Sequence, residues 1–307
     1  MHFICRSFSF YQGVVFKEQF GSVWNLIKKS FKTILLPYFL FAAFTYLFWF
    51  LKEPTTHNTL QDFIYQVQGI LYGSGNNGYL YFNVALWFLP CLFITKIGFA
   101  LLTKVTNDTK ALLFALLGLS FIGYELAEFY LLAKLPFGIE TAFSAIVFFG
   151  AGFLMKRNAH VFAAMKNKGF LIFAVGLVLT VVLATVNYNI FGLQIDMRLN
   201  RINNYFLFYG AAFAGILSWV AFSMIINKNR ILEYIGKHTL YLFAWHYLLF
   251  SYLKDITAVL TIATDKAITS QFLLPTTFTI IAVIIILAGI RIFRKVKYRA
   301  MFSVTKT

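Results

Sequence analysis

The sequence predicts an all-α protein, a polytopic bundle of transmembrane helices, and three observations predict it. Of the 307 residues, 60% are hydrophobic and 12% are charged, against about 25% charged in soluble domains. The apolar residues gather in eight runs, at 34–51, 80–95, 111–132, 137–155, 169–191, 205–226, 239–253 and 272–290. Most approach the roughly 20 residues that a helix needs to cross hydrocarbon. Basic residues alternate between the runs. Segments 17–33, 96–110, 156–168, 227–237 and 291–307 hold 4, 3, 4, 3 and 6 Lys or Arg, whereas 52–79, 133–136, 192–204 and 254–271 hold 1, 1, 2 and 2. Backbone groups in lipid must be satisfied within their own segment, so the runs are helices.

The alternation fixes the orientation. Basic residues near span ends are retained in the cytoplasm. Every second loop is therefore inside, and the C-terminus, with its basic tail 291–307, is cytoplasmic. The expected location is the cell (inner) membrane, crossed many times, with the lipid bilayer as a partner. A net charge of +16 does not indicate nucleic acid, because 20 of the 27 basic residues lie in the inside segments, where topology explains them. Cys5 and Cys91 both stand in apolar surroundings, which argues against a structural disulfide and a thiolate metal site. No HExxH or spaced Cys/His set suggests a metal, and no G-x-S-x-G suggests a serine nucleophile.

Taken in order, residues 3–16 are apolar but too short to span alone, so they read as the inner part of a helix, an N-terminal partial span. They lack the basic start and small-residue cleavage site of a signal peptide. Next comes Lys17 to Lys32, in which Lys28, Lys29 and Lys32 precede Ile34-Leu-Leu-Pro37-Tyr38. Lys28 and Lys32 are spaced one helical turn apart. Such cations suit the phosphates of a cytosolic donor such as acyl-CoA; topology alone is the plain alternative. The longest loop, 52–79, contains Gly73-Ser-Gly75-Asn-Asn-Gly78. This spells the dinucleotide fingerprint, but it precedes a membrane span outside any βαβ unit and reads as a flexible turn.

Ionisable groups inside spans are expensive and usually functional. Glu125 and Glu128 lie three apart, on one helical face near the outer end of their span, where they either snorkel to the interface or line a cavity. Asp196-Met-Arg198-Leu-Asn-Arg201 places two arginines in an outside segment, where topology does not favour them. An Asp/Arg pair there holds either a hydroxyl-rich acceptor or its own loop. His246 sits within the run Tyr241-Leu-Phe-Ala-Trp-His246-Tyr-Leu-Leu-Phe. It is either a buried histidine bonded to a neighbouring carbonyl or a member of an acceptor pocket or proton relay.

Five segments resemble a known family. Leu86-Trp87-Phe-Leu-Pro90-Cys-Leu-Phe93 resembles the L-W-F-L-P-x-L-F signature of the acyltransferase 3 family, and within it the fucose 4-O-acetylase-like sugar acetyltransferases. Lys29-Ser-Phe-Lys32-Thr-Ile-Leu-Leu-Pro37-Tyr38 is similar to the family's basic segment before L-I-P-Y, with lysines for arginines. Leu135-Pro136-Phe137-Gly-Ile-Glu140-Thr-Ala resembles its L-P-F-x-(L/I)-(D/E)-x-A entry to a span. Asp196-Met-Arg198, with Tyr205 and Tyr209-Gly-Ala, resembles its acceptor-side segment. Leu232-Glu-Tyr-Ile-Gly236-Lys-His-Thr-Leu240-Tyr, ending in His246, resembles its closing motif.

The resemblance implies one membrane domain over 1–307 and an integral membrane O-acyltransferase. Such an enzyme carries acetyl from cytosolic acetyl-CoA, a substrate and not a resident cofactor, to a hydroxyl of a cell-surface or exopolysaccharide sugar. Lys28, Lys29 and Lys32 then face the acyl-CoA, and Asn83, Trp87, Glu140, Asp196, Arg198 and His246 stand on the acceptor side. The family's catalytic histidine lies in a first span, whereas residues 1–16 resemble the second. That base is therefore expected upstream of Met1, with His246 as the fallback. The competing readings are an inactive truncated remnant of such an enzyme and a membrane transporter or flippase, since a helical bundle with a midplane histidine can line a pathway. The absence of an internal repeat counts against transport.

Overall fold

The computed structural model describes residues 2–17, 21–52, 60–76, 78–106, 108–129, 135–158, 160, 165, 167–226, 229–264 and 273–304. Among them there is no strand, and the one β-type pairing is an isolated bridge between Asp196 and Arg201. The helices are α1 (His2–Val15), α2 (Val23–Ser30), α3 (Leu36–Lys52), α4 (Leu60–Tyr72), α5 (Phe88–Val105), α6 (Thr109–Phe129), α7 (Ile139–Arg157), α8 (Gly169–Phe191), α9 (Tyr205–Ile226), α10 (Arg230–Lys237), α11 (Thr239–Thr264) and α12 (Leu273–Val304). Among the described residues six helical stretches are long and apolar enough to cross a membrane: Val23–Lys52, Tyr81–Val105, Thr109–Ala127, Pro136–Arg157, Gly169–Phe191 and Tyr205–Ile226. The chain is a polytopic helical membrane bundle. The expected runs at 239–253 and 272–290 fall within α11 and α12.

Two boundaries differ from expectation. The run read as ending at 95 continues as helix to Val105, so Lys96 is a helical residue and not the start of a loop. One lysine interrupts the apolar pattern, but Phe99 and Ala100 beyond it are completely buried. The second difference is a π-helical turn, Phe31–Leu35, between α2 and α3. There the Leu36 amide bonds back to the Phe31 carbonyl, which inserts an extra residue and shifts the register after Lys32.

The chain forms two compact units, Met1–Leu40 with Thr59–Tyr81 and Leu86–Asn227, and Phe41–Asn58 with Phe82–Ala85 and Lys228–Thr307. In the first, α7 is central and packs against α1, α5 and α6, while α8 and α9 pair along their length. The partial span is realised as α1, 14 residues and so about 21 Å long, which lies on α7 and α9. Glycines permit this contact. A Cβ at Gly13 would overlap the Phe149 carbonyl, and a Cβ at Gly152 would overlap the Phe10 carbonyl. Small residues that let backbones touch are how membrane helices associate, because lipid provides no hydrophobic drive. Phe16, just past α1, packs edge-on to Phe99, Phe149 and Phe153 with centroids 5.4, 5.6 and 6.1 Å away. By contrast Val178, Val181 and Ile190 of α8 are exposed apolar residues, a surface that bilayer hydrocarbon solvates.

In the second unit α11 packs on α12. Phe41 of α3 meets Tyr241 and Trp245 at 6.0 and 6.3 Å, and Tyr46 meets Phe82 at 5.4 Å. Lys52 closes the end of α3 by donating to the Ser251 hydroxyl at 2.7 Å, with its ammonium 5.1 Å from the Tyr252 ring centre.

Candidate functional site

The two ends of α7 carry different chemistry. At its C-terminal end the Lys156 ammonium donates to the Phe16 carbonyl at 3.1 Å. Beside Phe16 opens a cavity of about 350 Å³, lined among others by Gln12, Lys17, Asn25, Lys29 and Lys96. None of its described lining residues is acidic. Three lysines, from the end of α1, from α2 and from α5, thus line one space whose described lining holds no carboxylate, a composition that suits an anion. Of the lysines the sequence singled out, Lys29 lines this cavity. Lys28 instead rests over the Trp24 ring, 5.2 Å from its centre, and Lys32 is exposed in the π turn. The α2 amides are organised by Ser22, whose hydroxyl accepts from Trp24 N at 3.1 Å.

At the other end of α7 the residues expected on the acceptor side bind their own loops. Glu140, buried in the first turn, accepts from Leu135 N at 3.2 Å. Partial burial and then the nearby Glu140 carboxylate raise the Tyr72 phenol above its ordinary value. Asp196 caps the following turn through Arg198 N and Leu199 N at 2.9 and 3.3 Å. Arg198 pairs with Asp196 at 3.3 Å and donates to the Gly75 carbonyl at 2.8 Å. The glycine-rich stretch is thus not the flexible turn its composition suggested. Gly73 to Asn76 are buried, and an arginine 123 positions away holds their backbone. Thr141 donates to Met197 O, and Ser144 donates to Asn200 Oδ1, at 3.2 and 3.0 Å. These bonds lock loop 192–204 onto α7.

This geometry predicts a structural share for Arg198. Arg198→Ala removes the Gly75 bond and the Asp196 pair together, and a hydrogen bond involving a charged group contributes about 1.5–3 kcal/mol. Thermal unfolding of the solubilised protein should therefore come several degrees earlier, with Arg198→Lys in between because it keeps the charge without the fork. Unchanged unfolding in both variants would show that the guanidinium is free for a ligand.

In the second unit Asn83 bonds to α11, the helix that carries His246. Asn83 breaks the 3-10 segment Tyr81–Trp87 with φ −158° and ψ 75°. Its side chain is fully buried and donates to the Ala244 carbonyl at 2.8 Å. Asn83 Oδ1 is buried with no partner among the described residues. His246 Nδ1 lies 2.7 and 3.2 Å from the Phe243 and Leu242 carbonyls. A carbonyl only accepts, so Nδ1 carries the proton, and in the neutral ring Nε2 holds the lone pair. That is the tautomer of a general base. The ring lies against Phe243 and Phe250 at 5.9 and 5.6 Å. Trp87, in the first unit, is a buried packing residue against Phe88 at 6.0 Å.

Of the other histidines, His238 binds the Tyr234 carbonyl at 2.8 Å, His160 is exposed, and the side chains of His2 and His57 lie outside the described residues. Glu125 is half-buried, and the Glu128 side chain lies outside the description. The sequence reading missed Gln12, Lys17, Asn25 and Lys96 at the cavity. It also missed Arg6, whose guanidinium carbon sits 5.2 Å from the Phe208 ring centre within the bundle. Arg6 was detectable as the one basic residue that lies in neither set of loops.

Neither comparison with curated proteins nor comparison with solved structures returns a match. A family model described as an acyltransferase domain matches residues 7–294, nearly the whole chain. By that match the chain belongs to the acyltransferase 3 family.

Proposed function

We propose that the chain transfers acetyl from cytosolic acetyl-CoA to a hydroxyl of a cell-surface or exopolysaccharide sugar, as a member of the fucose 4-O-acetylase-like branch. The family match over residues 7–294 carries the reaction type, a membrane acyltransferase. The branch and acceptor rest on the sequence motifs around Trp87, Glu140 and Asp196. The lysine-lined end of α7 supports the donor side, since acyl-CoA is a polyanion and Lys29 belongs to both the motif and the cavity. In this reading the enzyme lies in the cell membrane with its C-terminus and the Lys29 end in the cytoplasm. Glu140, Asp196 and Arg198 shape the acceptor side by ordering its loops.

His246 is the proposed base. Nε2 takes the proton of the acceptor hydroxyl as that oxygen attacks the thioester carbonyl. The new C–O bond forms, the C–S bond breaks, and the coenzyme A thiolate leaves and takes up a proton. Asn83 positions the segment that carries His246 through the Ala244 carbonyl. Radiolabelled acetyl-CoA supplied to membranes containing the protein should label an alkali-labile ester on a saccharide fraction. Absence of label above vector-only membranes defeats the proposal. The orientation has its own test. A reporter fused after Lys166 should behave as cytoplasmic and one at about Asn76 as external, because the segments around them hold 4 and 1 basic residues; the same side for both refutes it.

A further inference from the structure

We propose that Tyr65, Tyr72 and Tyr79, with the amides of Gln66 and Asn76, form a saccharide-binding platform that grips a chain of sugars and not a single one. This rests on the acceptor reading above and adds where the acceptor polymer is held; in the orientation given there the platform faces outward. Helix α4 carries two different stripes. Leu60, Ile64 and Leu71 recur at helical spacing and are exposed, a stripe for the bilayer interface. Gln61, Tyr65, Gln68 and Tyr72 recur at i, i+4, i+7 and i+11, about 100° further round the helix. Tyrosines that served the membrane would stand with the leucines, but these stand among glutamines. Tyr79 completes the cluster, with its ring centre 4.9 Å from that of Tyr65 and 5.7 Å from that of Tyr72. Gly69 makes room for it, since a Cβ there would stand 2.9 Å from the Tyr79 ring. Gly78, at φ +77°, turns the chain back onto α4, and Tyr79 N donates to the Asn76 carbonyl at 2.8 Å. Tyr38 donates to the Ile70 carbonyl at 2.7 Å and Arg198 holds Gly75, so helix and turn are both fixed before a ligand arrives. Tyr65 is exposed and the other two rings are half-buried, so the cluster opens at the surface. Two acceptors accompany the rings. Gln66 Oε1 and Asn76 Oδ1 are buried with no partner among the described residues, and Asn76 Nδ2 is committed to the Ser74 hydroxyl at 3.0 Å. A buried acceptor without a donor is costly. A sugar supplies what both kinds of group need: hydroxyls that donate, and a C–H face that stacks on the negative face of an aromatic ring. None of the five groups is charged, so they take an uncharged stretch of the chain.

Three rings offer more surface than one sugar covers, so the platform selects by chain length. The probes are short oligosaccharides cut from the purified surface polysaccharide of the source cells, and the monosaccharides of its complete hydrolysis. The detergent-solubilised full chain should bind the oligosaccharides in calorimetry and the monosaccharides far more weakly. Tyr65→Ala and Tyr79→Ala should each weaken oligosaccharide binding roughly two- to tenfold, the size of one aromatic contact. Tyr65→Phe should bind as wild type does, because the ring and not the hydroxyl makes the contact. Gly69→Ala should weaken binding by displacing Tyr79. Gln66→Leu should bind less yet unfold no earlier, since it removes an acceptor that the fold leaves unanswered; a purely structural glutamine would lose stability instead. Wild-type affinity in both Tyr65→Ala and Tyr79→Ala overturns the platform, as does equal binding of oligosaccharides and monosaccharides. Unchanged saccharide affinity with earlier unfolding of Tyr65→Ala in phosphatidylcholine vesicles overturns it in favour of the membrane interface. Oligosaccharide binding that depends on Tyr65 and Tyr79 supports the platform even if no acetyl is transferred, an outcome that sinks the transfer reading alone. Acetyl transfer to the polymer that is indifferent to Tyr65→Ala and Tyr79→Ala sinks the platform and leaves the transfer reading intact.

Discussion

Replacing His246 by alanine should reduce acyl transfer by 10²- to 10⁴-fold while the protein still folds and inserts, because general-base catalysis typically contributes about that factor. At 1.36 kcal/mol per decade this is about 2.7–5.4 kcal/mol of barrier. The geometry allows a sharper experiment than alanine alone. His246 Nδ1 is committed to the Phe243 carbonyl at 2.7 Å, so the ring's two nitrogens do different work. In His246→Asn the amide nitrogen takes the place of Nδ1 and keeps that bond, yet nothing stands at Nε2. If the histidine is a base, His246→Asn is as inactive as alanine and more stable. If it is only a packed, self-bonded histidine, His246→Asn retains transfer. Activity within twofold of wild type in both variants rejects the proton role. Asn83→Ala is expected to be milder, since it loosens the Ala244 carbonyl and so the helix bearing His246 without removing the histidine. Its effect should fall on kcat with the donor KM unchanged.

What the sequence revealed and what it concealed divide along the range of the physics. Apolar length and loop charge are local properties, so the long spans and their boundaries at α6 to α9 could be read directly. Asp196 and Arg198 stood out for a similar reason, as charges where topology wants none. The cavity was hidden because Lys17, Lys29 and Lys96 are distant in the chain and meet through helix packing. Lys96 was further disguised as a loop residue, since one charge ends an apolar run on paper but not in a helix whose next turn is buried. The Gly73–Asn76 stretch looked mobile because glycine and asparagine favour turns. Nothing near it in sequence announces the arginine that orders it. Composition also cannot encode the π turn at Phe31–Leu35, where the same side chains point differently once one residue is inserted.

Gly13→Leu and Gly152→Leu should each cost most of the folded protein, because the two glycines are the crossing point of α1 and α7. A side chain at Gly13 would occupy the position of the Phe149 carbonyl, and one at Gly152 that of the Phe10 carbonyl. Backbone cannot give way as a flexible side chain does, so the helices must part. Overpacking a core typically costs about 1–3 kcal/mol, and more where backbone must move. Parting α1 from α7 also withdraws Phe16 from Phe99, Phe149 and Phe153 and breaks the Lys156 bond to Phe16. The damage therefore reaches the Lys17 wall of the cavity as well as the fold. Gly118→Leu is the control, since a Cβ there meets nothing within 4 Å, and it should express and unfold as wild type does. Because both substitutions break one contact, the double variant should be little worse than either single one, a departure from additivity expected only for sites that touch. Detergent-solubilised yield and thermal unfolding measure all four proteins. Additive losses, or a Gly118→Leu variant as damaged as Gly13→Leu, would show that α1 does not rest on α7 through these glycines.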